Sequence, residues 1–289
     1  MGITILRVAA PSICFAVLAA AGAAETLVER GAYLVTTVGA CGNCHTPRDA
    51  ASNPIANMEL AGGFEFDDAP IGHVDTPNIT PDPETGIGSW TAEQIITALR
   101  DGKRPDGTII GPPMPIRVYR QLSDSDAAAI AAYLRSLKPI RHVVARTTYK
   151  MPLPPGYGPA VTHVDEPPRT DKIAYGAYLA GTVGHCVLCH TPPGSGGPDM
   201  SRAYGGGREL PDFGNPGAQT VSRNVTPDLE DGIGKWSDDQ IKQAIVAGTR
   251  PDGTKLARTM ALDWYAKIAP ADLDAVVAYL RSLQPVRSP

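Results

Sequence analysis

The sequence predicts a mostly α protein built from two similar domains in tandem, and two observations carry that expectation. The first is a repeat. Gly31-Ala32-Tyr33-Leu34 recurs as Gly176-Ala177-Tyr178-Leu179, at an offset of 145 that also places Cys41 on Cys186 and His45 on His190. Past that point the offset is 146. Asn78-Ile79-Thr80-Pro81-Asp82 matches Asn224-Val225-Thr226-Pro227-Asp228, and Gly86-Ile87-Gly88-Ser89-Trp90 matches Gly232-Ile233-Gly234-Lys235-Trp236. Arg104-Pro105-Asp106-Gly107-Thr108 recurs as Arg250-Pro251-Asp252-Gly253-Thr254, and Ala132-Tyr133-Leu134-Arg135-Ser136-Leu137 as Ala278-Tyr279-Leu280-Arg281-Ser282-Leu283. One inserted residue explains the step in offset. The second observation is that the apolar spacing readable in each copy is helical, whereas period-2 alternation of the strand kind is scarce.

Residues 1–24 read as an export signal. Arg7 is the only charged side chain before Glu25, and an apolar stretch from Val8 ends in the small residues Ala21-Gly22-Ala23-Ala24. Cleavage after Ala23 or Ala24 would deliver a periplasmic chain; an uncleaved leader acting as a membrane anchor is the alternative. No later apolar run is long enough to span a bilayer.

The first domain is expected over residues 25–140. Thr91 with Gln94 has the spacing of a capping box, Ile95, Ala98 and Leu99 follow at helical intervals, and Gly102 stops that helix. A terminal helix carries Ile130, Tyr133, Leu134 and Leu137. A Pro-rich linker follows over 141–172, where Met151-Pro152-Leu153-Pro154-Pro155-Gly156 and Glu166-Pro167-Pro168 cannot continue a helix. It is expected as an extended, semi-rigid segment laid over the domain surfaces. The second domain, 173–289, repeats the pattern: Ser237 with Gln240 as the cap, Ile241, Ala244 and Ile245 behind it, Gly248 as the stop, and Val276, Tyr279, Leu280 and Leu283 on the last helix.

Composition agrees with two folded, loop-rich units. The 289 residues exceed what one compact domain needs, 43% are apolar, and 30 Gly and 28 Pro make loops abundant. Only 6% are aromatic, which leaves room for something other than aromatic side chains to fill the interior. A net charge of −4 with no long basic run lacks the electrostatic footprint of a nucleic-acid binder.

Four of the five cysteines form Cys41-Gly42-Asn43-Cys44-His45 and Cys186-Val187-Leu188-Cys189-His190; the fifth, Cys14, lies in the leader. Two thiols three positions apart, followed at once by an imidazole, suit covalent haem: the sulfurs add to its two vinyl groups while the ring reaches the iron. A thioredoxin-like pair would want a βαβ context and leaves the His of both copies unexplained. A four-Cys zinc site would need the two pairs together, yet each heads its own repeat. The expectation is therefore two covalently bound c-type haems, held by Cys41, Cys44, Cys186 and Cys189, with His45 and His190 on the iron. For the sixth ligand, only Met114 and Met260 correspond between the copies. Met58 aligns with Ala203, Met200 with Ile55, and Met151 lies in the linker. A thioether favours ferrous iron and raises the potential; the alternative for either Met is ordinary core packing.

A Cys-x-x-Cys-His after an N-terminal helix, a Trp before a middle helix, a distal Met loop and a last helix with Tyr-Leu together resemble class I cytochrome c domains. The Asn-Ile-Thr-Pro-Asp and Gly-Ile-Gly-x-Trp motifs resemble more narrowly the cytochrome c subunits of bacterial periplasmic alcohol, aldehyde and gluconate dehydrogenases, over about Glu25 to Ser288. Those subunits commonly carry three haem motifs and a membrane-attaching C-terminal segment, where this chain carries two motifs. The resemblance implies that Trp90 and Trp236 donate an indole N–H to a haem propionate; wedging under the following helix is the alternative. His73, His142, His163 and His185 are expected at the surface rather than on iron, with a haem-ligand role kept as the alternative for His185 because it abuts Cys186, and the Arg-Pro-Asp-Gly turn is assigned no chemistry.

Two function classes follow. In the first, the chain carries electrons from a periplasmic dehydrogenase to a downstream acceptor, with no substrate chemistry of its own and membrane contact only through a partner or the leader. In the second, it is a dihaem redox enzyme, a peroxidase or a thiosulfate-oxidising cytochrome. An enzyme usually leaves one haem with a displaceable ligand, and the matching Met residues favour the carrier.

Overall fold

The computed structural model describes residues 1–2 and 25–288, so the predicted leader and Cys14 lie outside the described residues. In the first repeat the chain forms α1 (Leu27–Thr36), α2 (Gly42–His45), the strands β1 (Glu65–Asp68) and β2 (Gly72–Asp75), then α3 (Ala92–Asp101), α4 (Ile116–Tyr119) and α5 (Asp124–Ser136). After β3 (Thr148–Tyr149) the second repeat forms α6 (Lys172–Ala177), α7 (Cys186–Cys189), the hairpins β4/β5 (Pro193–Gly194, Gly197–Pro198) and β6/β7 (Glu209–Pro211, Gln219–Val221), then α8 (Asp238–Ala247), α9 (Leu262–Tyr265) and α10 (Pro270–Ser282).

The helices begin and end where their side chains dictate. Both capping boxes form, Thr91 with Gln94 and Ser237 with Gln240, and a third joins Thr26 to Glu29 at the start of α1. Gly102 and Gly248 stop α3 and α8 in left-handed conformations, φ 63° and 60°. Each repeat packs its first helix across its last, α1 on α5 and α6 on α10. The apolar core continues from one repeat to the other, through Leu34, Leu122 and Ile130 to Tyr178, Leu179 and Val183. A second join is aromatic: Phe213 meets Phe64 edge-on at 4.8 Å, with the Arg48 guanidinium 4.9 Å from the Phe64 ring.

The mostly α expectation holds in part, because short strands accompany the helices. Seven occur among the described residues, none longer than four residues, too short for their alternation to show in the sequence. The repeats also differ locally: where α1 is regular, α6 opens into a π-helical turn over Tyr178–Val183. The segment expected as a linker lies along the first repeat. Thr148 and Tyr149 add a third strand to the β1–β2 hairpin, the Tyr157 hydroxyl donates to Ile110 O at 2.8 Å, and Val161 N donates to Asp101 at 3.1 Å. Among the described residues, no helix is long and apolar enough to cross a membrane.

Candidate functional site

All eight predicted haem residues, Cys41, Cys44, His45 and Met114 from the first repeat and Cys186, Cys189, His190 and Met260 from the second, line one cavity of about 1300 Å³. A pocket for one drug-sized molecule occupies ~300–1,000 Å³, so this space suits a larger apolar occupant. Each cysteine pair sits on a single helical turn, α2 or α7, where residues three apart share a face. The four thiols are unpaired. Burial pushes Cys41 and Cys186 up to about 12 and Cys44 up to about 11, and raises Cys189 as well. Redox-active thiols carry the opposite shift.

The two imidazoles are oriented alike. His45 Nδ1 donates to Pro77 O at 2.9 Å, and His190 Nδ1 to Arg223 O at 2.7 Å, the histidines being related by the 145 offset and the carbonyls by 146. A carbonyl can only accept, so each ring carries its proton on Nδ1 and keeps the Nε2 lone pair for a metal. Burial lowers both pKa values and favours this neutral form. The neighbouring Asn-x-Thr motif fixes the carbonyl. Asn78 donates to Ile140 O at 2.8 Å and accepts from the Thr80 hydroxyl at 2.7 Å, tying the His partner to the segment after α5. Asn224 and Thr226 repeat this against Val286 O. The donor set and the apolar walls fit haem, offering four unpaired thiols and an imidazole Nε2 on each of two histidines.

Met114 and Met260 occupy equivalent bends before α4 and α9, where Ile116 N donates to Met114 O at 2.8 Å and Leu262 N to Met260 O at 2.7 Å. Met58 is not among the cavity's lining residues, and Met151 and Met200 are exposed. Trp90 and Trp236 line the cavity, their carbonyls held by Arg135 and Arg281 of the terminal helices.

The histidines need correction. His73 and His163 are at the surface as expected, each beside aspartates. His142 instead tucks against the first repeat, donating from Nδ1 to Ala61 O at 2.9 Å. His185 lines the cavity, because a left-handed backbone (φ 42°) just before Cys186 turns it inward; Ala40, its counterpart, has φ 44°. Burial depresses His185 to about 4. Two residues to which the sequence assigns no role, Tyr119 on α4 and Tyr265 on α9, also line the cavity. Tyr119 meets the His185 ring edge-on at 6.0 Å, and Tyr265 packs with Ala40, so each repeat's Cys-x-x-Cys-His loop lies against the other repeat's Met-side helix. Their shared 146 offset was a legible signal; the partner across the repeats was not.

Comparison with known proteins gives a consistent picture. The family model described as Cytochrome c matches residues 28–138 and again 173–284. The cytochrome c subunit of a quinone alcohol dehydrogenase from Gluconacetobacter polyoxogenes is 33% identical over 97% of this chain and 62% of its own length. The fructose dehydrogenase cytochrome subunit of Gluconobacter japonicus is 31% identical over 91% of this chain and 54% of its own. The chain thus spans roughly half to three-fifths of these dehydrogenase subunits. A diheme cytochrome c-type protein of Cereibacter sphaeroides is 31% identical over 84% of this chain and 81% of its own length.

Proposed function

The chain belongs to the cytochrome c family, and from that premise we propose that it is a periplasmic dihaem carrier, taking electrons from a dehydrogenase partner and passing them to a downstream acceptor. One observation carries the reading: both Cys-x-x-Cys-His motifs open into a single cavity, and each is matched there by a Met at the equivalent bend. Cys41 and Cys44 would attach one haem and Cys186 and Cys189 the other, with His45 and Met114, and His190 and Met260, on the two irons. Bound haem would supply a one-electron iron couple, while these histidine and methionine side chains would supply its protein donors and the apolar walls a dry setting. Two protein ligands on each iron would leave no position for peroxide or thiosulfate, which favours a carrier over the enzyme alternative. Transfer within the chain is supported by both cysteine pairs lining the one cavity. The dehydrogenase partner is inferred from what the similar proteins are, and a brief docking contact suits a carrier.

The test mixes oxidised holoprotein with ethanol and a quinone-type alcohol dehydrogenase, each alone and together, and separately with thiosulfate, and mixes reduced holoprotein with peroxide. Reduction only when dehydrogenase and alcohol are both present is the expected result. Rapid turnover of peroxide or thiosulfate by the cytochrome alone would overturn it in favour of the enzyme.

A further inference from the structure

We propose that Arg104 and Arg250 are the cationic partners of the haem propionate carboxylates, one in each repeat, an assignment that rests on the haem reading above. The repeated Arg-Pro-Asp-Gly-Thr segment is a closed turn in both copies. Arg N donates to Thr O at 2.9 Å, Gly N to Arg O at 2.9 Å, and the Asp carboxylate accepts from Thr N at 2.9 Å. Those bonds account for Asp, Gly and Thr, and for the Arg backbone. They do not use the Arg charge.

Each guanidinium leans along the turn, with Nη1 donating to a backbone carbonyl, Ile109 O at 3.0 Å or Lys255 O at 3.3 Å, and to the Thr hydroxyl. Both Arg residues line the cavity. Among the described residues, neither forms an ion pair, and Asp106 is bridged instead to Arg146. Half-burial pulls Arg104 below the ordinary arginine range, by more than the nearby Tyr149 and Asp106 offset. A partly desolvated cation at the edge of an apolar crevice is complementary to an occupant with a hydrophobic body and an anionic rim. Haem has that form, its two carboxylates lying on one edge. The other lining arginines lack this repetition: Arg223 aligns with Pro77, and Arg146 has no counterpart.

A cation beside the propionate favours the reduced haem, which carries one more negative charge. Arg104→Gln and Arg250→Gln should each lower the midpoint potential of one haem, while intact mass still shows two haems and the Met-to-iron charge-transfer band persists. Arg104→Lys and Arg250→Lys keep the charge without the planar fork and should fall between parent and Gln variant. Unchanged potentials in a two-haem protein would overturn the assignment. So would a fall in potential accompanied by loss of the Met band, since that would make the arginine a support of the Met loop. A parent protein without covalent haem would instead sink the underlying haem reading.

Discussion

The hydroxyl of Tyr33, on the first helix of the first repeat, donates at 2.7 Å to Asp272 on the last helix of the second. The reverse bond is present too: Tyr178 donates at 2.7 Å to Asp126. Each hydroxyl also accepts a backbone N–H at the head of the other repeat's last helix, Ala269 N at 3.2 Å and Ser123 N at 3.1 Å. The tyrosines are related by 145 and the aspartates by 146, so the repeats clasp each other through a near-symmetric exchange built from their own duplicated residues. Ser123 is fully buried, and without Tyr178 its N–H would have no partner. Tyr178→Phe should therefore cost ~1–3 kcal/mol, more than Tyr33→Phe at ~0.5–1.5 kcal/mol. Denaturation midpoints of the two holoproteins would check the order.

The exchange departs from symmetry at Arg30. Arg30 forms a bidentate pair with Asp126, at 2.8 and 3.0 Å, and its counterpart in the second repeat is Tyr175, which accepts from Arg30 at 3.4 Å. Both charged side chains are buried, with 8% and 1% exposure. Arg30→Met would strand the Asp126 carboxylate and should destabilise by ~3–5 kcal/mol. A loss below ~1 kcal/mol in the same unfolding assay would show that Tyr178 and solvent suffice for that carboxylate.

Much of this was legible in the sequence because duplication marks what both copies need. The capping residues, the stop glycines, the Cys-x-x-Cys-His motifs and Met114 with Met260 all sit at matched positions, and the structure brings the last two groups to one cavity. What was hidden depends on contacts between distant residues. The β3 strand exists only because Thr148 and Tyr149 meet the edge of β2, and no local alternation announces that. His185 read as a surface residue because its inward turn comes from a left-handed φ that its residue type does not predict. The Asn-x-Thr motif was visible as a repeat, but its task of holding the carbonyl that orients His45 or His190 emerges only in three dimensions.

Met114→Ala and Met260→Ala should each lower one haem potential and remove one Met-to-iron charge-transfer contribution, leaving both covalent attachments intact. Met58→Ala and Met200→Ala are matched controls and should move neither signal. Unaltered spectra in the Met114 variant would remove that residue from the first iron.

Exported holoprotein should gain the mass of two haems over the apo chain, begin at Ala24 or Glu25, and take up no thiol-alkylating reagent even when denatured. Cys41, Cys44, Cys186 and Cys189 would all be thioethers by then. A single haem mass, or two alkylated thiols, would restrict attachment to one repeat.

The last prediction concerns Gly31 and Gly176, where α1 crosses α5 and α6 crosses α10. A Cβ on Gly31 would overlap the carbonyl oxygen of Ala129 and press on Tyr133 Cβ at 2.7 Å; on Gly176 it would overlap the Ala275 carbonyl and meet Tyr279 Cβ at 2.9 Å. The obstruction is backbone, so no rotamer change relieves it and the helices must part. Helix propensity alone argues the other way, since Ala in a helix interior is favoured over Gly by ~1 kcal/mol. The sign of the change thus separates the two effects: Gly31→Ala and Gly176→Ala should destabilise by ~1–3 kcal/mol if the crossing dominates. A second readout follows from the path of the chain. Cys41 N donates to Val35 O at 3.1 Å, so a displaced α1 carries the first attachment site with it. Gly31→Ala should lower haem occupancy of the first motif more than of the second, and Gly176→Ala the reverse, as peptide mass spectrometry of each motif would measure. Stabilised variants with full occupancy at both motifs would show that the close crossing is not what these glycines provide.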